Sequence, residues 1–382
     1  MASLFKKMDK LLLFLMIAFT IFGLYMVFSA SSITAVLFHD LPEHHYAVRQ
    51  LVFIIGAWIA GMVVLTVPIK FYKPFAPYAM VGIVAALIFV FSYGTFTNNV
   101  RRWFDVGFFA IQPSEFAKSI IIVYLAFAME KLIRLKKTGI DTLFWHFLPV
   151  AAAVVLVIWQ PDLGTAMILG LIVLLIFLSL PIKTREIKFL KILAIIFVVA
   201  AGVLVAVAPA ALSETQASRF NYRAPCTRYT ENSGYQVCNG LIAIANGGLF
   251  GVGLGNSTQK YLYLPEAHTD FIFPIIIEEL GAIAGIIIIL LFIILLWRVL
   301  MISRNAGNLS GSIIAYGTFC FILLHLLVNF MGVLALIPLT GISVPFLSYG
   351  GSFYINIILM LFLVQRVRIE AEDARKARVL GE

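Results

Sequence analysis

Long, nearly uninterrupted apolar runs dominate the chain, and short polar segments separate them. An α-helix needs about 20 apolar residues to cross the hydrocarbon core of a bilayer. The pattern predicts ten transmembrane helices, over residues 11–30, 49–69, 76–95, 113–133, 145–159, 163–182, 190–211, 270–299, 311–337 and 345–366. Because a membrane β-barrel would show alternating rather than continuous apolar positions, we predict an all-α integral membrane protein with a single polytopic domain over residues 1–382.

The composition agrees with this class of protein. Hydrophobic residues make up 62% of the chain and charged residues 12%, whereas soluble domains average about 45–50% apolar and about 25% charged. The first apolar stretch is longer than the roughly 7–15-residue core of a cleavable signal, so we interpret it as a membrane span.

Lysine and arginine are distributed unevenly over alternate connections. Of the 28, 20 fall on the side of both termini and eight on the other. The positive-inside rule then predicts that both termini are cytoplasmic, including a tail over 367–382. It also predicts a large extracytoplasmic loop over 212–269, between the seventh and eighth helices. The basic excess therefore indicates membrane orientation, and we expect no nucleic-acid partner.

Several ionisable residues share the outer side with those eight cations. The cations are Arg49, Arg101, Arg102, Lys118, Arg219, Arg223, Arg228 and Lys260; Asp162, Glu266, His268 and Asp270 lie on the same side. This predicts chemistry at the outer leaflet, away from cytoplasmic nucleotides. The glycine-rich stretch 240–259 matches neither a phosphate loop nor a dinucleotide fingerprint, so we expect no nucleotide or redox cofactor.

Two arginines and a proline-led motif precede the fourth predicted span. Pro113 suits a first helical position, and Glu115 and Lys118 are three residues apart, so they can meet on one helix face. One interpretation is a capped helix start with a local ion pair. The other is a cationic clamp for phosphate, in which Arg101 or Arg102 offers a bidentate fork and Lys118 a point charge.

A short polar connection, Gln160-Pro161-Asp162-Leu163-Gly164-Thr165, joins the fifth and sixth spans. Asp162 is a favoured residue for capping the helix that follows. A carboxylate at a tight outer turn could equally orient a metal ion or a sugar hydroxyl, and the sequence leaves both interpretations open.

The stretch 263–281, YLPEAHTDFIFPIIIEELG, places acids at the start of a strongly apolar run. If Pro265 starts the eighth helix, Glu266 and Asp270 lie one turn apart on one face. Pro274 removes an amide donor, so we predict a kink near Asp270.

Further polar residues lie within apolar surroundings. Glu278 and Glu279 require partners or protonation, because ionised groups are costly in hydrocarbon. His325 and Asn329, four residues apart, are predicted to bond each other. The segment 338–352, with two prolines and three glycines, predicts irregular backbone that is buried or lines a wet cavity.

These motifs together resemble the SEDS family (shape, elongation, division and sporulation) of bacterial peptidoglycan glycosyltransferases. The resemblance covers nearly the whole chain in one order, and it is closer to the division members than to the elongation members. It rests on Arg102-Trp103, QPSEFAK (112–118), QPDLGTA (160–166), AIANGG and GVGLGNS (243–257), YLPEAHTDFIF with EELG (263–281) and PLTGISVPFLSYGGS (338–352).

The resemblance implies a polymerase of lipid II at the outer face of the bacterial cytoplasmic (inner) membrane, acting at the septum beside a class B penicillin-binding protein and other divisome membrane proteins. It implies Asp270 as the catalytic base. The substrate-binding residues it implies, together with the outer-side charges, are Arg101, Arg102, Glu115, Lys118, Gln160, Asp162, Glu266, His268 and Ser348. Supporting roles fall to Pro274, Glu278 and Glu279.

Two further expectations accompany the resemblance. A divalent cation, Mg²⁺ or Mn²⁺, could be held by Asp270 with Asp162 or Glu115. Cys226 and Cys238 could form a disulfide, given an oxidising exterior.

Two other functions compete with the polymerase. Intramembrane acids and broken helices also suit a transporter that flips lipid II. However, the acids and cations here gather at the outer side rather than the midplane. A pure scaffold for division proteins would leave Glu278 and Glu279 unexplained. The enzyme is therefore the preferred interpretation.

Overall fold

The computed structural model describes residues 2–97, 100–105, 107, 110–207, 224–229, 232–261, 263–265 and 267–380. Helices dominate this part of the chain. They are α1 Ala2–Lys7, α2 Lys10–His39, α3 His45–Thr66, α4 Ala76–Tyr93, α5 Pro113–Arg134, α6 Ile140–Trp159, α7 Leu163–Ser179, α8 Arg185–Val207, α9 Asn232–Gly247, α10 Ile272–Arg304, α11 Leu309–Val333 and α12 Gly351–Leu380.

A helix covers most of each of the ten predicted stretches. Seven helices, namely α2, α3, α4, α6, α10, α11 and α12, are long and apolar enough to cross a membrane, and α7 is a shorter apolar helix. The chain is therefore a multi-pass membrane protein. The span count of ten, the cytoplasmic termini and the placement of the large loop stay predictions.

A small antiparallel sheet lies between α4 and α5, so the expectation of a purely helical fold was wrong here. Its strands are β1 Thr95–Thr97, β2 Val100–Asp105 and β3 Ala110–Ile111, in the order β1-β2-β3. Arg101 pairs with Phe96 and Phe104 with Ile111. Three short strands rich in aromatic and β-branched residues gave no long apolar run, which is why the span pattern missed them.

The eighth predicted helix differs from expectation in its start and in its bend. α10 begins at Ile272, so Asp270 precedes it and Pro274 lies in its first turn, where a missing amide donor costs little. The predicted kink at Pro274 was wrong. The helix instead breaks at Gly281, whose φ of 87° and ψ of 167° are non-helical.

The upstream loop fills this break. Val252 and Gly253 donate backbone hydrogen bonds to the carbonyls of Glu278 and Glu279, and Ala282 donates to Gly248 O at 2.9 Å. The backbone carbonyls and amides that lose their helical partners at this break therefore form hydrogen bonds with the glycine-rich loop instead of with water.

The centre of the bundle is formed by α11 and α12. Their apolar windows are 72% and 78% buried, whereas that of α6 is 22% buried. Since lipid-facing helices keep one side exposed, α11 and α12 are the inner helices. α5 packs against both of them.

The two ends of the chain meet through polar contacts. Asp9 caps α2 by accepting from Leu12 N at 2.9 Å, and its own amide donates to Gln365 Oε1 at 2.8 Å. Its carboxylate also pairs with Arg298 of α10. Asp9 therefore joins the first long helix to α10 and α12.

Candidate functional site

Asp270 lies in the turn that leads into α10, and α11 fixes its backbone. The Asn329 side-chain amide donates to Asp270 O and to Ile342 O, both at 2.7 Å. Thr269 Oγ1 donates to the Asp270 carboxylate at 3.2 Å. Gly341, with a φ of 67°, faces the second carboxylate oxygen, and a Cβ there would lie 3.6 Å from it. Asp270 is only 9% exposed, so it is largely enclosed.

The irregular segment between α11 and α12 holds the residues just before Asp270. Ser348 Oγ donates to Thr269 O at 2.5 Å and accepts from Val344 N at 2.8 Å. The Tyr349 amide donates to His268 O at 2.8 Å. The prediction of irregular, buried backbone here is confirmed, and the segment's bonds fix the Asp270 turn.

Aromatic rings adjoin this turn. The His268 ring lies 4.7 Å from the Tyr46 ring and 5.6 Å from the Tyr349 ring, and the two tyrosine rings are 5.2 Å apart. The three rings form a cluster, here called the aromatic cluster, between the start of α3 and the Asp270 turn.

A fully buried charged group lies on α5. Lys118 Nζ donates to both Glu115 oxygens, at 2.8 and 2.9 Å, which confirms the predicted ion pair. It also donates to His325 Nε2 at 3.0 Å, while His325 Nδ1 donates to Phe321 O. His325 and Asn329 each bond other groups, so the predicted bond between them was wrong.

Arg102 reaches the connection between α6 and α7. Its guanidinium donates to Gln160 O and Pro161 O, and Nη1 lies 3.9 Å from Asp162 Oδ1. Asp162 caps α7 by accepting from Thr165 N at 3.3 Å, as predicted. Arg102 and Asp162 thus form a partly exposed charge pair.

The other predicted arginine lies on the opposite face of β2, because successive strand residues alternate. Arg101 Nη1 donates to Ser92 O at the end of α4, at 2.5 Å. Arg101 and Arg102 therefore contact different elements, the end of α4 and the connection between α6 and α7.

Two charge pairs, Glu115–Lys118 and Arg102–Asp162, are connected to the Asp270 turn through α11 and the irregular segment. His325 and Asn329 lie on successive turns of α11, with one bonded to Lys118 and the other to Asp270. A Cβ on Gly164, two residues after Asp162, would lie 2.9 Å from Thr340 O. The structure thus assembles these residues at one end of the central helices.

The buried acids of α10 each have partners. Glu278 accepts from Ser257 Oγ, from Thr258 Oγ1 at 2.9 Å and from Asn246 Nδ2 at 3.2 Å. Glu279 pairs with Lys260 at 2.7 Å and accepts from Ser29 Oγ of α2 at 2.8 Å. Both acids therefore anchor the glycine-rich loop to the bundle.

Two other predictions concern the long connection over residues 212–269. Cys226 and Cys238 form a disulfide, with their Cα atoms 4.9 Å apart. Glu266 lies outside the described residues, so its predicted role stays a prediction.

Sequence reasoning missed three polar side chains that support the site. Asn329 was assigned to a different contact. Gln112 donates to Asp162 Oδ2 at 3.2 Å, and Asn356 donates to Glu115 O at 2.6 Å. Their signal was present, since amides in or beside a membrane helix require partners, but the partner cannot be read from one sequence.

Comparisons with known proteins converge on one family. A family model described as cell cycle protein, FtsW/RodA/SpoVE, matches residues 9–373. The probable peptidoglycan glycosyltransferase FtsW of Bacillus subtilis is 35% identical over 94% of this chain and 89% of its own length. Stage V sporulation protein E of the same organism is 36% identical over 93% and 94%.

Solved structures share the fold. A chain from a peptidoglycan synthase complex has a TM-score of 0.74 at 23% identity, covering 95% of this chain and 98% of that one. The rod shape determining protein RodA of Thermus thermophilus has a TM-score of 0.66 at 22% identity, covering 94% and 96%.

Proposed function

Because the chain belongs to the FtsW/RodA/SpoVE family of cell cycle proteins, we propose that Asp270 is the general base of its glycan-polymerising reaction. The chain is a peptidoglycan glycosyltransferase. Its proposed substrate is lipid II, which it polymerises at the outer face of the cytoplasmic membrane. The observation that carries the proposal is the Asp270 turn, which accepts hydrogen bonds from Asn329 of α11 and from Ser348 and Tyr349 of the irregular segment.

The proposed step is a single displacement. Asp270 takes the proton from the 4-hydroxyl of one sugar. The oxygen of that hydroxyl forms a bond to the anomeric carbon of the second lipid II. The bond from that carbon to the pyrophosphate oxygen breaks, and the lipid pyrophosphate leaves with the electron pair. The configuration at the anomeric carbon inverts. General base catalysis contributes typically 10²–10⁴-fold.

The developing charge on the pyrophosphate requires a cation, and Arg102 is the better placed candidate. Its side chain is 25% exposed, and its fork suits phosphate oxygens. Lys118 is fully buried and is neutralised by Glu115. Lys118 therefore acts by positioning α5 against α11 rather than by touching the leaving group.

The remaining predicted residues divide by what they bond. Ser348 fixes backbone, which favours a positioning role. The Gln160 carbonyl accepts a hydrogen bond from Arg102, and its side-chain Nε2 donates to Leu87 O at 2.9 Å. These bonds also favour a positioning role. His268 is buried and its ring lies against Tyr46 and Tyr349, which also favours a positioning role.

A divalent cation has no complete set of protein ligands in the part of the chain described. No group of three His, Cys, Asp or Glu side chains there could hold a metal ion. Asp162 is occupied by Arg102 and Gln112, and Glu115 by Lys118. Among the described acids, Asp162 and Glu115 are thus engaged by other side chains, and the proposed step uses no metal ion.

The proposed partner is a class B penicillin-binding protein, and the proposed location is the division septum with other divisome proteins. Support comes from the solved synthase complex, which coordinates polymerization and crosslinking, and from the FtsW name of several relatives. A fluorescent fusion at midcell fits the division type, whereas lateral-wall fluorescence would assign the chain to the elongation type.

The test of the base is Asp270→Asn in the full-length protein, with purified lipid II and the partner present. We expect polymerisation to fall about 10²–10⁴-fold while the protein still folds and binds its partner. Asp40→Asn is the matched control, since Asp40 is an exposed acid on the same predicted side, and it should keep the wild-type rate. Wild-type polymerisation by Asp270→Asn would exclude Asp270 as the base.

A further inference from the structure

A cavity of about 510 Å³ opens at the end of the bundle opposite to Asp270. It is formed by the turn after α3, the last turns of α5, the start of α11 and the C-terminal half of α12. Its lining residues are Pro68, Ile69, Lys70, Lys73, Phe127, Glu130, Asn308, Ser310, Arg366 and Glu370. Glu130 is 15 residues along α5 from Glu115, or roughly 22 Å, so the cavity is separate from the proposed catalytic site.

One charge pair in the cavity is satisfied internally. Arg366 Nε donates to Glu370 at 2.9 Å, and Arg366 Nη1 donates to Leu65 O at 3.2 Å. Glu370 also accepts from Ile69 N at 2.8 Å. This pair therefore braces the turn after α3 against α12 and adds no net charge.

The two lysines are the uncompensated charges. Among the described residues, neither Lys70 nor Lys73 has a carboxylate within 4.0 Å. Glu130, the remaining acid, accepts from Ser310 N at 3.5 Å, in the first turn of α11, where the helix dipole favours a negative charge. Lys70 and Lys73 therefore form no ion pair with Glu130 or with any other acid in the described part of the chain.

The surroundings of the cavity are those of a lipid interface. Phe127 forms an apolar wall and is 5% exposed. Phe71 and Phe75, on the same turn as the lysines, are 54% and 67% exposed. Exposed apolar rings beside basic residues are typical of segments that lie at a membrane interface. The side also carries 20 of the 28 lysines and arginines, which predicts that it is cytoplasmic.

We propose that this cavity binds the phosphate of an anionic phospholipid from the cytoplasmic leaflet. Lys70 and Lys73 would supply point charges, and the exposed rings of Phe71 and Phe75 beside them would contact the acyl chains. Basic pockets between transmembrane helices on the cytoplasmic side suit such headgroups. The site is independent of the polymerase reaction proposed for the other end of the bundle.

The test uses the full-length protein in detergent, titrated with phosphatidylglycerol or with phosphatidylcholine of the same acyl chains. The readouts are the thermal midpoint and the lipid retained in native mass spectra. Phosphatidylglycerol should raise the midpoint and remain bound, and phosphatidylcholine should do neither. The double variant Lys70→Gln/Lys73→Gln should weaken the apparent affinity about 30-fold, because each lysine near an anionic headgroup contributes about five-fold to the affinity.

The matched control is Lys183→Gln/Lys188→Gln, which removes the same charge from exposed positions on the same side. It should change the affinity by less than about 2-fold, since Lys183 and Lys188 do not line the cavity. Equal losses in the two double variants, or unchanged binding in Lys70→Gln/Lys73→Gln, would overturn the site.

Inorganic phosphate forms the second arm and separates the sources of the anion. Phosphate alone should leave the midpoint unchanged, because it lacks acyl chains. A shift with phosphate that equals the lipid's and requires Lys70 and Lys73 would overturn the assignment to a lipid.

Discussion

At the scale of residues, the site depends on side chains that hold backbone in place. Asn329 bonds the carbonyls of Asp270 and Ile342 at once, and Ser348 bonds Thr269. Catalysis by a carboxylate requires its placement within hydrogen-bond reach of the reacting hydroxyl. The side chains of Asn329 and Ser348, which take no part in the proposed proton transfer, therefore determine the position of the Asp270 carboxylate.

Glu115→Gln tests the buried ion pair of α5. Removing the negative partner leaves the fully buried Lys118 ammonium uncompensated, and such losses cost about 3–5 kcal/mol. We expect a large drop in thermal midpoint for the purified protein in detergent. Glu372→Gln is the control, because its pair with Lys376 is exposed and should contribute about 0.3–0.5 kcal/mol. Similar midpoints for both variants would contradict a structural role for Glu115.

At the scale of elements, the break in α10 couples a helix to a loop. Gly281 adopts a positive φ, and a Cβ there would lie 2.2 Å from Leu249 O. The loop backbone takes the hydrogen bonds that the helix gives up at this point. A residue with a side chain would therefore disturb both the bend and the loop.

Gly281→Ala should lower the thermal midpoint and expose the loop to protease. The change combines a strained backbone with a backbone clash, and together they should cost more than about 1 kcal/mol. Gly170→Ala, in α7, is the matched control, because a Cβ there meets nothing within 4 Å and alanine favours a helix. An equal midpoint and equal cleavage for Gly281→Ala and wild type would show that the break tolerates a side chain.

At the scale of the whole molecule, the sequence predicted helices more reliably than their contacts. Apolar runs identified the helix over each stretch, because period and length are local properties. The kink was assigned to Pro274 and lies at Gly281, since a proline in a first turn has no helical bond to lose. Lys118 was correctly joined to Glu115 along one helix, whereas its bond to His325 of α11 depends on packing between distant segments.

The orientation of the bundle is tested by labelling single introduced cysteines in whole cells. A thiol reagent that cannot cross the membrane should label Glu43→Cys from outside and should label Lys183→Cys only after the cells are opened. Both positions are exposed, and the positive-inside rule places them on opposite sides. Cys320 is buried, and Cys226 and Cys238 are joined, so the background should be low. The opposite labelling pattern would invert the topology.

The bonds of Asp9 have a consequence for biogenesis. Its amide bonds a residue 356 positions later, and its carboxylate pairs with Arg298. During synthesis, the first long helix enters the bilayer while both partners are still untranslated. The Asp9 carboxylate can therefore pair with Arg298 only after α10 has been made, and its amide can reach Gln365 only after α12 has been made. Closure of the N-terminal helix against the rest of the bundle is therefore a late step, and a ribosome stalled before Gln365 leaves the Asp9 amide without its partner.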